Sequence, residues 1–205
     1  MSITFDRSRA LSREDFGFMS GDHPMLRTAL DLLLGSEQGN STYGEWKGGG
    51  SEGMFLEIQA VAECIAPAEL HVDRFLPSTP IRVVIDHSMA EQTDNAEVAA
   101  APLEKGDVFR LLDRGAIRKK VLPAMLAKAQ EVAASRMKTL VADAITTMDT
   151  QFAREVQRLE TLRELNDHVS ATDIAEMRRQ QTQLEQALAA TNLRVDAIRL
   201  ILRLP

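Results

Sequence analysis

The chain of 205 residues is poor in aromatic side chains: they make up 4% of it, and Trp46 and Tyr43 each occur once. Modules that hold single-stranded bases stack them on aromatic platforms, so this scarcity speaks against that mode of nucleic-acid binding. Cysteine is scarcer still. Cys64 is the only one, which excludes a disulfide within the chain, and its place in the apolar run 60–65 marks it as a small core residue. No stretch reaches the roughly 18 consecutive apolar residues of a membrane-spanning helix. The first ten residues, MSITFDRSRA, are polar and charged rather than a secretory leader. A reducing cytoplasm is the expected compartment, with no membrane partner.

Catalytic patterns are missing as well. No G-x-x-x-x-G-K-[ST] sequence occurs, so the chain carries no P-loop of its own. The run 48–53, GGGSEG, fits both G-x-G-x-x-G and the G-x-S-x-G nucleophile elbow by letters. Both chemistries need strand, tight turn and helix in that order, so that backbone N–H groups converge on a phosphate or an oxyanion. Here a strand pattern follows the glycines and no helix does; a glycine-rich connection satisfies both letter patterns. His23, His71, His87 and His168 stand far apart without metal-ligand spacing. No activated nucleophile is spaced to use the pair Asp86 and His87. The chain is therefore expected to be no enzyme, with no catalytic residue, metal site or cofactor of its own.

What is present divides near residue 115. Residues 1–115 carry ten Lys and Arg against nineteen Asp and Glu, a net −9, whereas residues 116–205 carry fourteen against eleven, a net +3. Such asymmetry predicts two units. In the first, Asp22 caps and Pro24 opens a helix that buries Met25, Ala29, Leu32 and Leu33 and stops at Gly35. Short strands are predicted over 42–47, 54–65, 70–75 and 80–86, joined as an antiparallel meander. Within 54–65 the alternate set Met54, Leu56, Ile58, Ala60, Ala62 and Cys64 is wholly apolar and predicts the core face. Residues 92–104 read as an edge strand or loop, and 108–114 as a short helix closed by Gly115.

The second half is patterned for helix. Apolar positions from Val121 to Leu162 predict one long helix whose regular part starts near Pro123, since proline disrupts a helix interior. Residues 166–169 form a loop, and Ser170 with Asp173 resembles a capping box. Ile174, Met177, Gln181, Leu184, Leu188, Thr191, Val195, Ile198 and Leu202 then recur at alternating intervals of three and four, the spacing of a single helix face roughly 40 Å long. The polar pair Gln181 and Thr191 is expected to fix its register. The predicted fold class is α+β: an antiparallel sheet with short helices over residues 1–115, followed by a long antiparallel helical hairpin over 116–205.

Arg110, Arg114, Arg118, Lys119 and Lys120 form the densest basic cluster. Three of them lie four residues apart and share a helix face if the chain stays helical through Gly115. They are the candidate contacts for a partner or for nucleic-acid phosphates.

Thr4-Phe5-Asp6-Arg7, Ala10-Leu11-Ser12-Arg13-Glu14-Asp15, Phe18, His23-Pro24, Arg27 and Leu30-Asp31-Leu32-Leu33 form a pattern that resembles the C-terminal region of the RapA family, bacterial RNA polymerase-associated ATPases of the Swi/Snf type that recycle RNA polymerase. Ala66-Pro67, Arg74-Phe75-Leu76-Pro77, Thr79-Pro80 and Arg82 extend the resemblance. So do Arg158-Leu159-Glu160, residues 162–166 (LRELN) and 194–200 (RVDAIRL) near the end. The resemblance implies a non-catalytic fragment acting in protein interaction and scaffolding in the bacterial cytoplasm. ATP and Mg would belong to helicase-like lobes upstream, and those lobes together with core RNA polymerase would be its partners. No catalytic residue of the family maps onto these positions. The alternative reading is a nucleic-acid-binding module that guides DNA or RNA to the motor through the basic cluster, against which the −9 of the first half counts. A dimer pairing through the seam 174–202 ranks third, because residues 121–165 already offer a partner within the chain.

Overall fold

A computed structural model describes residues 2–13, 15–21, 23–28, 40–47, 51–165 and 170–205. The chain divides into two compact units, Met1–Asn40 and Ser41–Pro205. In the first, strands β1 (Ser2–Thr4) and β2 (Phe16–Phe18) pair in parallel around helix α1 (Arg7–Ser12). Asp6 caps α1 by accepting hydrogen bonds from the backbone of Ser8 and Arg9. The guanidinium groups of Arg9 and Arg13 each lie 4.8 Å from the Phe16 ring centre. Residues 24–28 are helical as expected, but Met25, expected on the buried face, is 60% exposed. The expected cap Asp22, the buried positions Ala29, Leu32 and Leu33, and the stop at Gly35 lie outside the described residues.

The second unit is a five-stranded sheet with one long helix laid across it. Strands β3 (Ser41–Lys47), β4 (Gly53–Glu63), β5 (Thr79–Asp86), β6 (Leu103–Glu104) and β7 (Asn192–Leu204) are ordered β5-β4-β7-β3-β6. The sheet is mixed, not the expected antiparallel meander. Strand β7 runs antiparallel to β4 but parallel to β3 and separates the two. Its presence there corrects the largest expectation: the last helix does not continue to residue 202. Helix α5 (Ala171–Ala189) ends where Ala190 and Thr191 fold their N–H groups back on the last turn, and the Thr191 hydroxyl donates to the Leu188 carbonyl at 2.7 Å. Beyond it, Val195, Ile198 and Leu202 belong to a strand. The expected boundary at 115/116 is crossed by this strand, which brings residues 192–204 into the sheet of residues 41–104.

Residues 70–75 are also not a strand. They form two 3-10 turns, Ala68–Leu70 and Val72–Arg74, joined at His71 in the left-handed region with φ 47°. Val72 and Phe75 are three apart, the period at which 3-10 side chains eclipse, and both pack toward the helical hairpin. The segment after β5 holds helix α2 (Ala96–Ala99), edge strand β6 and helix α3 (Val108–Leu112).

The alternation in β4 reads as predicted. Leu56, Ile58, Ala60 and Ala62 face helix α4 (Leu122–Leu165), whose Met125, Ala129 and Ala133 are fully buried against them and against Ile81, Val83 and Ile85. Small alanines at this crossing let helix and sheet approach closely. On the opposite sheet face Trp46, Val84, Val98 and Ile201 form a second core beneath α2. Farther along α4, Ala144 and Met148 pack on Leu184 and Leu188 of α5, with Leu76 closing the base. Gln181 donates to Asp149 across the pair at 2.8 Å, so it pins register as its seam position implied. The capping box of Ser170 and Asp173 is formed. The expected loop 166–169 lies outside the described residues.

Candidate partner-binding site

The basic cluster sits where α3 gives way to the long helix. Asp107 caps α3 through the Phe109 N–H at 3.0 Å. After Leu112 the chain turns, and Arg114 accepts from Ile117 and Arg118 as the next helix begins. That helix opens with a π turn, Ile117–Val121, whose widened ring is closed by the Leu122 N–H on the Ile117 carbonyl. Pro123 follows directly. It has no N–H to donate to the carbonyl four residues back, so the proline that the sequence marks as the start of the regular helix coincides with the end of the wide turn.

This geometry separates the five cations. Helical continuity breaks at Arg114, so Arg110, Arg114 and Arg118 do not lie on one helix face. Arg110 and Arg114 share a hollow of about 200 Å³ with Tyr43, Glu45, Glu52 and Asp107. Arg118 instead stands at a cleft of about 550 Å³ on the other flank of α3, lined by Leu56, Leu112, Leu122, Leu126, Ile198 and Leu200 among others. Lys119 and Lys120 are exposed on the π turn and line neither space. All five are exposed, and among the described residues none of them makes an ion pair. Phe109 on α3 is 74% exposed.

The floor of the cleft is the sheet face of β3, β4 and β7, and Ser41 and Tyr43 form its edge. Burial, then a hydrogen bond to Glu45 at 3.1 Å, pushes the Tyr43 phenol up to about 12. It therefore stays a neutral donor throughout the physiological range. Sequence reasoning missed this wall because Ile198 and Leu200 were placed on a helix. The period-2 arrangement of 192–204 was the signal that could have revealed it.

The other expected sites stay apart. Asp86 Oδ1 accepts from the Ser88 N–H, the Ser88 hydroxyl and the Ala90 N–H, and Oδ2 from Gln92, at 2.6–3.0 Å. Burial tends to raise this carboxyl, but those bonds outweigh it and hold it low. Both oxygens thus serve a turn at the strand end rather than a dyad with His87. Ser51 is exposed ahead of β4 with a strand, not a helix, after it. Glycines 48–50 and His168 lie outside the described residues. Among those described, no group of three or more His, Cys, Asp or Glu side chains is placed to hold a metal, and no helix is long and apolar enough to cross a membrane.

A charged cluster that sequence reasoning did not single out lies on the α2 side of the sheet. Glu57, with its side chain 5% exposed, takes hydrogen bonds from Arg82 on β5 and Arg199 on β7. Burial tends to raise this carboxyl, yet the two guanidinium groups outweigh it and hold the carboxyl below its ordinary value. Both arginines are spent on Glu57, which makes this a structural clamp across three strands. Compared with known proteins, the chain matches the family model described as RNA polymerase recycling family C-terminal over residues 1–203.

Proposed function

Because the chain belongs to the RNA polymerase recycling family, we propose that it is the non-catalytic interaction and scaffold region of an RNA polymerase-associated Swi/Snf-type ATPase in the bacterial cytoplasm. The observation that carries this reading is the family match over nearly the whole chain. The shape of the hairpin supports it: α4 has 44 residues and α5 has 19, a stiff pair of helices suited to a brace or an arm. ATP hydrolysis and Mg belong, in this reading, to motor lobes of the parent protein, which are a second set of partners. The test is gel filtration of the purified chain with core RNA polymerase at low and moderate salt. Co-elution that survives moderate salt is expected. Its loss at every salt concentration would make the chain an internal brace of the motor instead.

The five exposed cations favour a second reading, a module that guides DNA or RNA to the motor. It requires a steep fall of duplex affinity with salt. Neutralising a phosphate-contacting Arg would then reduce the slope of log K against log salt by about 1.

A further inference from the structure

Three features meet at the cleft beside α3. Its walls are aliphatic, from Leu112, Leu122 and Leu126 on the helices to Ile198 and Leu200 on β7. Among the described residues its one charged lining side chain is Arg118, which is exposed and makes no ion pair. Lys119 and Lys120, which do not line the cleft, follow Arg118 on the same π turn and are likewise exposed. The π turn that presents the cations is a local irregularity of a kind that recurs at functional sites in helices. An apolar hollow with an unpaired cation in its lining selects a guest that is apolar where it fills the hollow and carries a negative charge where it meets that cation.

We infer that this cleft takes one or two bulky apolar side chains from an acidic segment of a partner protein, with Arg118 pairing a carboxylate at its mouth. The inference rests on the docking reading above and names the chemistry of the docked segment. The volume of about 550 Å³ suits Leu, Phe or Met side chains and lies within the range of sites that bury a ligand. A nucleic-acid strand would use the cations but leave the aliphatic walls wet, and that counts against it.

Two variants address the cleft without touching the core. Arg118→Glu reverses the anchor, and Ser41→Trp places an indole at the cleft edge from an exposed strand position. Arg158→Glu on the distal hairpin serves as the control. Each is tested for co-elution with core RNA polymerase, and by fluorescence anisotropy with a labelled twelve-residue peptide of alternating Glu, Leu and Phe, with a Lys-for-Glu version for comparison. Far-ultraviolet circular dichroism checks that the variants fold.

The expected result is that the acidic peptide binds, the Lys version does not, and Arg118→Glu and Ser41→Trp each weaken peptide and polymerase about tenfold or more, while Arg158→Glu does not. Polymerase binding unchanged by both cleft variants overturns the cleft as the docking point and leaves the docking reading standing. If the wild-type chain fails to bind polymerase, the docking reading falls, and the peptide decides the cleft separately: selective, Arg118-dependent binding sustains it and no binding overturns it. Loss of duplex binding on Arg118→Glu with no peptide binding assigns the cluster to nucleic acid and also overturns the inference. Should Ser41→Trp misfold, Arg118→Glu alone carries the test.

Discussion

At the scale of single residues, Glu57 is the one buried charged side chain among the described residues. It sits on the α2 side of the central strands, where an ionised carboxylate without partners would be costly, and Arg82 and Arg199 supply those partners from the two neighbouring strands. The arginines are about a third exposed, so solvent screening reduces what the clamp contributes. Glu57→Gln is expected to cost about 2 kcal/mol in urea unfolding at pH 7, since it leaves two guanidinium groups over a neutral amide. The folded carboxyl titrates below its unfolded value. Its contribution is therefore fully present above the unfolded pKa of about 4.3 and disappears as pH falls through the lower folded value. Wild type and variant should converge in stability as pH falls through that lower folded value. A gap that stayed constant with pH would mean the loss came from packing rather than charge.

At the scale of elements, the helical hairpin is packed continuously at its base and only in places toward its far end, where Ile174 is buried. Leu184 and Leu188 are almost completely buried against Met148, Ala144 and Leu76, whereas Leu165 at the far end of α4 is 81% exposed. Leu188→Ala should therefore cost about 3 kcal/mol of global stability. The same truncation at Ile174 should mainly speed local opening, read as faster amide exchange confined to the distal hairpin. Equal global losses at both sites would show that the hairpin unfolds as one piece with the sheet. The same two elements show what the sequence could and could not disclose. The seam from Ile174 to Leu188 is a true helix face because Ser170 starts it and the knobs find α4. Val195, Ile198 and Leu202 continue the same spacing by coincidence: in a thirteen-residue run rich in Ile, Leu and Val, intervals of three and four coexist with alternation. What decides for strand is distant. The slot between β3 and β4 is vacant unless β7 fills it, and no local pattern announces a vacancy. The cleft shared this fate, since Ile198 and Leu200 of β7 form part of its wall. Arg118 was legible as a candidate, but its separation from Arg110 and Arg114 depends on the break at Arg114 and the π turn before Pro123.

At the scale of the second unit as a whole, β7 is the central strand on which the sheet depends. It bonds to β4 over 53–63 and to β3 over 41–47, so each large strand loses its main partner if β7 is removed. Ser41 pairs with Ile198 across most of the chain, a non-local closure of the kind that slows folding. Trp46 reports on it directly: the sole indole is buried in the second core, and the Arg203 guanidinium of β7 lies 4.2 Å from its ring centre. A chain ending at Ala190 would, if residues 192–202 were merely the end of a helix, lose a few helical turns and keep a folded sheet. With β7 at the centre, the truncated chain should instead lose its strand signal in circular dichroism and its cooperative Trp46 fluorescence transition. The helical signal of α4 should survive only in part, because its N-terminal half packs on that sheet. Adding a synthetic peptide of residues 191–205 should restore the transition, since every backbone partner for it is left in place. A cooperative, wild-type-like Trp46 transition in the truncated chain would remove β7 from the centre of the sheet, and with it the floor of the cleft beside Arg118.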